Sequence, residues 1–302
     1  MEAASLPDPG LTVAGDTGLR AGLGLGTARL GAFWQGKGVR EGARALDAAF
    51  DLGVTVVDTA DVYARGISER LVGRALRRHE GVTVITKGGL LKTPAALAQA
   101  ARSGAGRPSA GGLRAAAPAG RCFRPDYLRW AVQGSLRRLG LDSLPVYLLH
   151  EPDLATVRDP EVVAGMERLR EEGAVGAWGV STPEDDVALA AMDLPGTPWI
   201  EALVGPGNDS LAEKLTVHPR RRESVLVGIG ALGDGGQVAR RAAVGRMGPA
   251  EAVASLAAEA VDRAAPDLLL LGMSTPEHVR RNVARLMATP EPAGQDKKET
   301  AG

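Results

Sequence analysis

Short apolar runs alternate with longer amphipathic stretches along the chain, and this alternation constrains the fold more than any other feature. The runs lie at residues 22–26, 55–58, 82–87, 145–150, 174–180, 199–204, 224–230 and 268–271. Between and after them, helical patterns cover 39–52, 68–78, 126–140, 159–172, 183–192, 210–215, 249–264 and 276–287. The runs are nearly continuous in apolar residues rather than alternating, which is the pattern of strands buried on both faces of a parallel sheet. Eight strand-plus-helix units in 302 residues predict a closed (β/α)8 barrel, a TIM barrel, as one domain spanning 1–302. A doubly wound open sheet is the alternative architecture.

The helix starts agree with this division. Ser68 is read as an N-cap with Glu69 in the first turn. Ser181-Thr182-Pro183-Glu184 and Ser274-Thr275-Pro276-Glu277 each put a proline near the first helical position with an acid beside it. Two segments carry no such signal. Residues 94–120, rich in Ala, Gly, Ser and Pro, read as a flexible loop or insertion, and the polar tail 290–302 as frayed.

Composition removes several function classes. Lys and Arg total 36 and Asp and Glu total 36, so the formal net charge is zero, unlike that of most nucleic-acid binders. The single Cys122 excludes an intramolecular disulfide and a cysteine-rich zinc site. No apolar run approaches the roughly 20 residues that span a bilayer, and the N-terminus lacks the pattern of a secretory signal. A cytoplasmic protein is the expectation. No His, Asp and Glu cluster has metal-ligand spacing. Aromatic residues make up only 3%, so the core is built from Val, Leu, Ile and Ala.

Polar residues at the ends of the apolar runs carry the chemistry. Asp58, Lys87 and His150 each end a run, and Tyr63 follows Asp58 in the next loop. A barrel opens all its C-terminal strand ends on one face, so these four converge there. A tyrosine hydroxyl, with an ordinary pKa of about 10, is a proton donor, and a neighbouring ammonium favours its ionisation. A carboxylate fixes the lysine, and a neutral histidine donates a hydrogen bond to a carbonyl oxygen. Such a set polarises a carbonyl and protonates its oxygen as a nucleophile reaches the carbon, and a nicotinamide hydride is the natural nucleophile.

These residues sit in segments that resemble the aldo/keto reductases. Val56-Val57-Asp58-Thr59-Ala60-Asp61-Val62-Tyr63, with Gly66, Ser68, Glu69 and Gly73, is similar to that family's first motif. Ile85-Thr86-Lys87, Leu136–Leu141 with Tyr147-Leu148-Leu149-His150, and Gly179-Val180-Ser181 follow in the family's order. The resemblance runs from Gly22 to Leu286. Gly66 with Ser68-Glu69-Arg70, and His150-Glu151-Pro152-Asp153, look most like the branch of galactose- and fucose-type aldose dehydrogenases.

The resemblance implies an oxidoreductase that moves a hydride between NADP(H), or alternatively NAD(H), and an aldehyde, ketone or aldose. Tyr63 would be the general acid/base, tuned by Lys87 and Asp58, with His150 orienting the substrate. Gly26, Thr27 and Asp58 would line the nicotinamide, with Ser181 and Thr182 at its carboxamide. Leu232 and Gly233 would lie near the pyrophosphate. Gly272, Met273, Ser274, Thr275, His278 and Asn282 would hold the adenosine phosphate. Phe33 and Trp34 are candidate walls of the substrate pocket. A monomer or weak homo-oligomer with a small carbonyl or sugar substrate, and neither nucleic acid nor membrane as partner, is the corresponding expectation.

The chain departs from the family at Thr182, often Asn; at Ile229, near a common stacking Tyr; at Glu201, near a common Gln; and at His278, often Arg or Gln. Those changes motivate two other readings: a non-redox carbonyl reaction such as elimination or isomerisation in the same barrel, or a non-catalytic binding or regulatory barrel.

Overall fold

The computed structural model describes residues 8, 10–30, 38–104, 120–233 and 236–287. Eight parallel strands form the barrel: β2 Arg20–Gly26, β3 Val56–Asp58, β4 Thr83–Gly88, β5 Leu144–His150, β6 Val175–Thr182, β7 Trp199–Leu203, β8 Val225–Ile229 and β9 Leu268–Gly272. Each pairs with the next, and β9 pairs with β2 from Gly22↔Leu268 to Gly26↔Gly272, which closes the sheet. The open-sheet alternative is therefore excluded. A short strand absent from the sequence reading, β1 Thr12–Ala14, lies antiparallel on β2.

The helices that cover the barrel are α1 Val39–Asp51, α2 Ile67–Leu76, α3 Pro94–Arg102, α4 Pro125–Leu139, α5 Leu154–Arg158, α6 Pro160–Glu171, α7 Asp185–Ala191, α8 Asp209–Val217, α9 Gln237–Gly245, α10 Pro249–Ala264 and α11 Pro276–Met287. Their inner faces and the outward-facing strand residues form one aliphatic shell, including Leu46, Val72, Leu128, Met166, Val261 and Val279. Each such side chain contributes about 1.5–3 kcal/mol when fully buried.

Inside the barrel a second cluster contains Val56, Ile85, Val146, Leu148, Trp199, Val227 and Leu270. Strand alternation sets what comes next. Two residues beyond Val56 is Asp58, beyond Ile85 is Lys87, beyond Leu148 is His150, and beyond Trp199 is Glu201. One apolar interior layer thus hands over to one polar layer at the C-terminal end. Gly179 permits the close approach of β6 and β7: a Cβ there would lie 1.9 Å from the backbone oxygen of Trp199. Gly179→Ala is expected to cost about 1–3 kcal/mol by overpacking, measured as a lower denaturant midpoint with the slope unchanged.

Several local expectations are corrected. Residues 94–120 are not all loop. Pro94–Arg102 forms α3, because an alanine-rich stretch follows Thr93, whose hydroxyl accepts from Ala96 N–H at 3.1 Å. Residues 105–119 and the tail 290–302 lie outside the described residues. Ser68 is not the N-cap of α2. Gly66 is, at φ 82°, and Ser68 is buried inside the first turn. Pro183 precedes α7, whose N-cap is Glu184, because β6 continues through Thr182. In the second Ser-Thr-Pro-Glu segment Pro276 does begin α11, and Thr275 Oγ1 accepts from His278 N–H at 3.2 Å. The two segments are therefore built differently. Helices α5 and α9 carry no sequence signal: α5 has only one turn, and α9 has no buried residue to mark a face.

Candidate active site

The turn after β3 presents Tyr63. Ala64, Arg65 and Gly66 follow it with φ of 47°, 56° and 82°, three successive left-handed residues before α2 begins. Two of the three are not glycine, and such backbone costs of order 1–3 kcal/mol per residue. A hydroxyl chain fixes the neighbouring backbone. Thr59 Oγ1 donates to Ser68 Oγ at 2.9 Å, Ser68 lies 2.7 Å from Thr27 Oγ1, and Thr27 Oγ1 donates to the Asp58 carbonyl at 2.8 Å. Behind it Glu69 is buried, accepting from Thr86 Oγ1 and from Arg138.

Lys87 is the centre of the polar layer and is fully buried. Its Nζ donates to Asp58 Oδ1, donates to the Thr59 carbonyl at 3.2 Å, and lies 3.3 Å from Glu201 Oε1. Its Nζ also lies 5.3 Å from the centre of the Tyr63 ring. Asp58 and Glu201 are 4% and 2% exposed, so one ammonium serves two buried carboxylates. Glu201 Oε1 also accepts from Ser181 Oγ at 2.8 Å, whereas Glu201 Oε2 has no hydrogen-bond partner. The Tyr63 and His150 rings meet edge to face, 5.8 Å between centroids. Asp58, Tyr63, Lys87 and His150 are brought together as the strand order requires.

Burial and charge set the protonation states. Burial, then Glu201, pushes Asp58 well above the usual carboxylate range, while Lys87 pulls it back. Burial opposes the Lys87 charge, but Asp58, Glu201 and Tyr63 outweigh it and raise its pKa. Burial lowers His150 to about 3, helped by the positive charges of Lys87, Arg121 and Lys92, so the imidazole is neutral. Tyr63 departs from the sequence argument. Burial raises its pKa, Asp58 and Glu201 add to the rise, and Lys87 only partly offsets it, so the phenol stays protonated.

A cavity of 310 Å³ opens on this layer, walled by Gly26, Asp58, Tyr63, Glu201, Leu232, Gly233 and Gly272. Ile229, Ala231 and Leu270 also line it, and Arg29 lies at its side. Ala231, Leu270 and Arg29 are not among the expected contacts, since neither a small apolar residue nor a lone loop arginine announces a site by its type. Glu201 is the residue with a legible signal: an acid inside the run Trp-Ile-Glu-Ala-Leu. Two of the expected contacts engage their hydroxyls locally. Thr27 spends its hydroxyl on the Asp58 backbone, and Thr182 Oγ1 accepts from Glu184 N–H at 3.0 Å. Met273 is buried in the outer shell. Ser274 is buried just before α11 and Asn282 within it. Phe33 and Trp34 lie outside the described residues. Cys122 is 1% exposed, and burial pushes its thiol up, away from a reactive thiolate. Among the described residues no group of three or more His, Cys, Asp or Glu side chains is placed to hold a metal ion. No helix among them is long and apolar enough to cross a membrane.

Comparison with known proteins identifies a family and a fold. Residues 22–200 match the model of the aldo/keto reductase family. Methylglyoxal reductase YeaE of Escherichia coli is 33% identical over 153 residues, covering 50% of this chain and 43% of that protein. Aldo-keto reductase YhdN of Bacillus subtilis is 30% identical over 172 residues, covering 55% of this chain and 45% of that protein. The chain thus spans a little under half the length of the curated relatives it matches. Over nearly the full chain the fold matches aldo-keto reductase AKR11C1 of Bacillus halodurans, with TM-score 0.65, 20% identity, and 93% and 91% of the two chains covered. It also matches an aldo/keto reductase of Klebsiella pneumoniae solved with NADP and acetate, with TM-score 0.59, 24% identity, and 91% and 89% covered.

Proposed function

The chain belongs to the aldo/keto reductase family, and from that premise we propose that it is an oxidoreductase acting between a nicotinamide cofactor, preferably NADP(H), and a small aldehyde, ketone or aldose. The observation that carries the reading is the meeting of Asp58, Tyr63, Lys87 and His150 at one barrel mouth beside a cavity. The NADP in the Klebsiella structure and the methylglyoxal reductase among the relatives support the cofactor and a small carbonyl substrate.

The residues present fit such a cofactor. Gly26 and Gly272 face each other across β2 and β9, and a Cβ on Gly272 would meet nothing within 4 Å. That bare wall leaves room for a flat ring, and Glu201 Oε2 is a buried acceptor without a donor, suited to an amide N–H. Gly26, Gly272, Ser181 and Glu201 would hold the nicotinamide, and Leu232 and Gly233 the pyrophosphate. The N-terminus of α11, with Ser274, Thr275, His278 and Asn282, would take the adenosine phosphate. Bound there, the cofactor supplies or accepts a hydride at the carbonyl carbon. Tyr63 donates its phenol proton to the carbonyl oxygen, or removes it in the reverse direction. Lys87⁺ stabilises the phenolate left behind, and neutral His150 orients the oxygen by hydrogen bonding.

The reading is tested by mixing the protein with NADPH and a panel of small aldehydes and dicarbonyls, methylglyoxal included, and following the reduced-nicotinamide absorbance. Saturable consumption is expected; protein that binds NADPH yet turns over none of the panel would oppose a carbonyl substrate of this class. A pH prediction accompanies it. With His150 held at about 3, no kinetic break from an imidazole is expected between about pH 5 and 8. Its contribution to stability has the opposite reach. Above the unfolded-state value of about 6.5 it is constant, and it is lost as pH falls toward 3, because only the unfolded chain takes up the proton. A His150→Asn variant is expected to lose less stability than wild type over that acid range in denaturant titrations.

A further inference from the structure

The polar layer holds more negative charge than its chemistry requires. One ammonium, Lys87, would suffice to balance Asp58, yet Glu201 brings a second buried carboxylate within 3.3 Å of the same nitrogen. The other groups facing the pair do not supply a second cation. Tyr63, on the turn after β3, is a protonated phenol, and His150 on β5 is neutral. β6 contributes the uncharged Ser181, while β8, β9 and α9 contribute Ile229, Leu270, Gly272 and Val238 to the cavity. Arg29, after β2, is exposed to solvent. Burying a net negative charge is costly, and two carboxylates that share a site do not both ionise readily. With no cation in the cavity, the net negative charge of the site therefore favours Asp58 in its protonated form. The rise of Asp58, which burial and Glu201 cause, agrees with this.

We infer that Glu201 couples the site to the redox state of its cofactor: the cationic, oxidised nicotinamide ring binds with release of one proton from the Asp58–Glu201 pair, and the neutral, reduced ring binds without it. The inference rests on the nicotinamide reading given above. It uses a feature of this chain, an acid on β7 that lines the cavity and keeps one buried carboxylate oxygen without a hydrogen-bond partner. The charge balance closes. With the reduced ring, Lys87⁺ faces one carboxylate and one carboxylic acid. With the oxidised ring, Lys87⁺ and the ring cation face two carboxylates, and the displaced proton passes to solvent. By linkage, the preference for the oxidised form grows with pH, up to tenfold per unit where the pair would otherwise hold its proton.

The test is to measure dissociation constants of NADP⁺ and NADPH with the full chain from about pH 6 to about pH 9. The phosphates are common to both forms, so the ratio of the two constants isolates the ring. The ratio of the NADPH constant to the NADP⁺ constant is expected to rise with pH in the wild type, and to be flat in Glu201→Gln, which keeps shape and one acceptor. Calorimetry of the wild type in two buffers of different ionisation enthalpy gives an independent count: close to one proton released with NADP⁺ and none with NADPH. Both forms binding with a pH-independent ratio and equal proton counts would overturn the inference while leaving the cofactor reading intact. A slope that persists in folded Glu201→Gln would overturn the role of Glu201. If neither NADP nor NAD binds in either redox state, the cofactor reading fails and the inference falls with it.

Discussion

Replacing Tyr63 with Phe is expected to lower turnover by about 10²- to 10⁴-fold, the usual contribution of a positioned proton donor. The fold should scarcely notice. The phenyl ring keeps its edge-to-face contact with His150, and Lys87 beside the lost hydroxyl keeps Asp58, Glu201 and the Thr59 carbonyl as partners. A stability change within about 1 kcal/mol is therefore expected in denaturant unfolding. Cofactor affinity should also change little, because the hydroxyl acts on the substrate oxygen. Retained turnover would show that the proton comes from elsewhere. Loss of cofactor binding in parallel with turnover would recast Tyr63 as a wall of the cofactor cavity.

Lys87→Met is expected to be the most damaging single change in both activity and stability. It leaves Asp58 and Glu201 buried with no ammonium between them, and uncompensated buried charge costs about 3–5 kcal/mol. The two acids can recover part of this by protonation, so the loss should shrink as pH is lowered. Denaturant midpoints at several pH values read that trend directly. Adding Glu201→Gln to Lys87→Met should restore part of the stability but none of the turnover, since the phenolate of Tyr63 would still lack its cation. A folded Lys87→Met variant as stable as wild type at neutral pH would mean that the two carboxylates do not depend on this ammonium.

The barrel was legible because its strands are buried on both faces and therefore appear as continuous apolar runs, each followed by an amphipathic helix. Asp58, Lys87 and His150 were legible for the same reason: each is a polar residue closing an apolar run, where the topology leaves no other place for it. The remaining features are set by tertiary contact. Ser68 looks like a helix cap in sequence, but Thr27 and Thr59 draw its hydroxyl into the loop interior, and Gly66 takes the cap with its left-handed backbone. The phenol of Tyr63 was expected to be acidified by Lys87. Burial reverses the sign, and no spacing argument reveals burial at a loop residue. Glu201 stood out as an acid within an apolar strand, but its distance to Lys87 depends on β4 and β7 facing each other across the closed barrel. Thr182 follows Ser181 directly, and strand alternation sends its hydroxyl to the Glu184 turn, away from Glu201.

The most direct test of the central claim is a titration of the purified, folded chain with NADPH and with NADH, each followed by nicotinamide fluorescence. Saturable binding at one site is predicted, tighter for NADPH, and weakened by enlarging Gly272 to a bulky side chain that fills the bare wall between β2 and β9. No binding of either nucleotide to a sample with native unfolding behaviour would contradict the account and would leave Asp58, Tyr63, Lys87 and His150 as a site for chemistry without a nicotinamide.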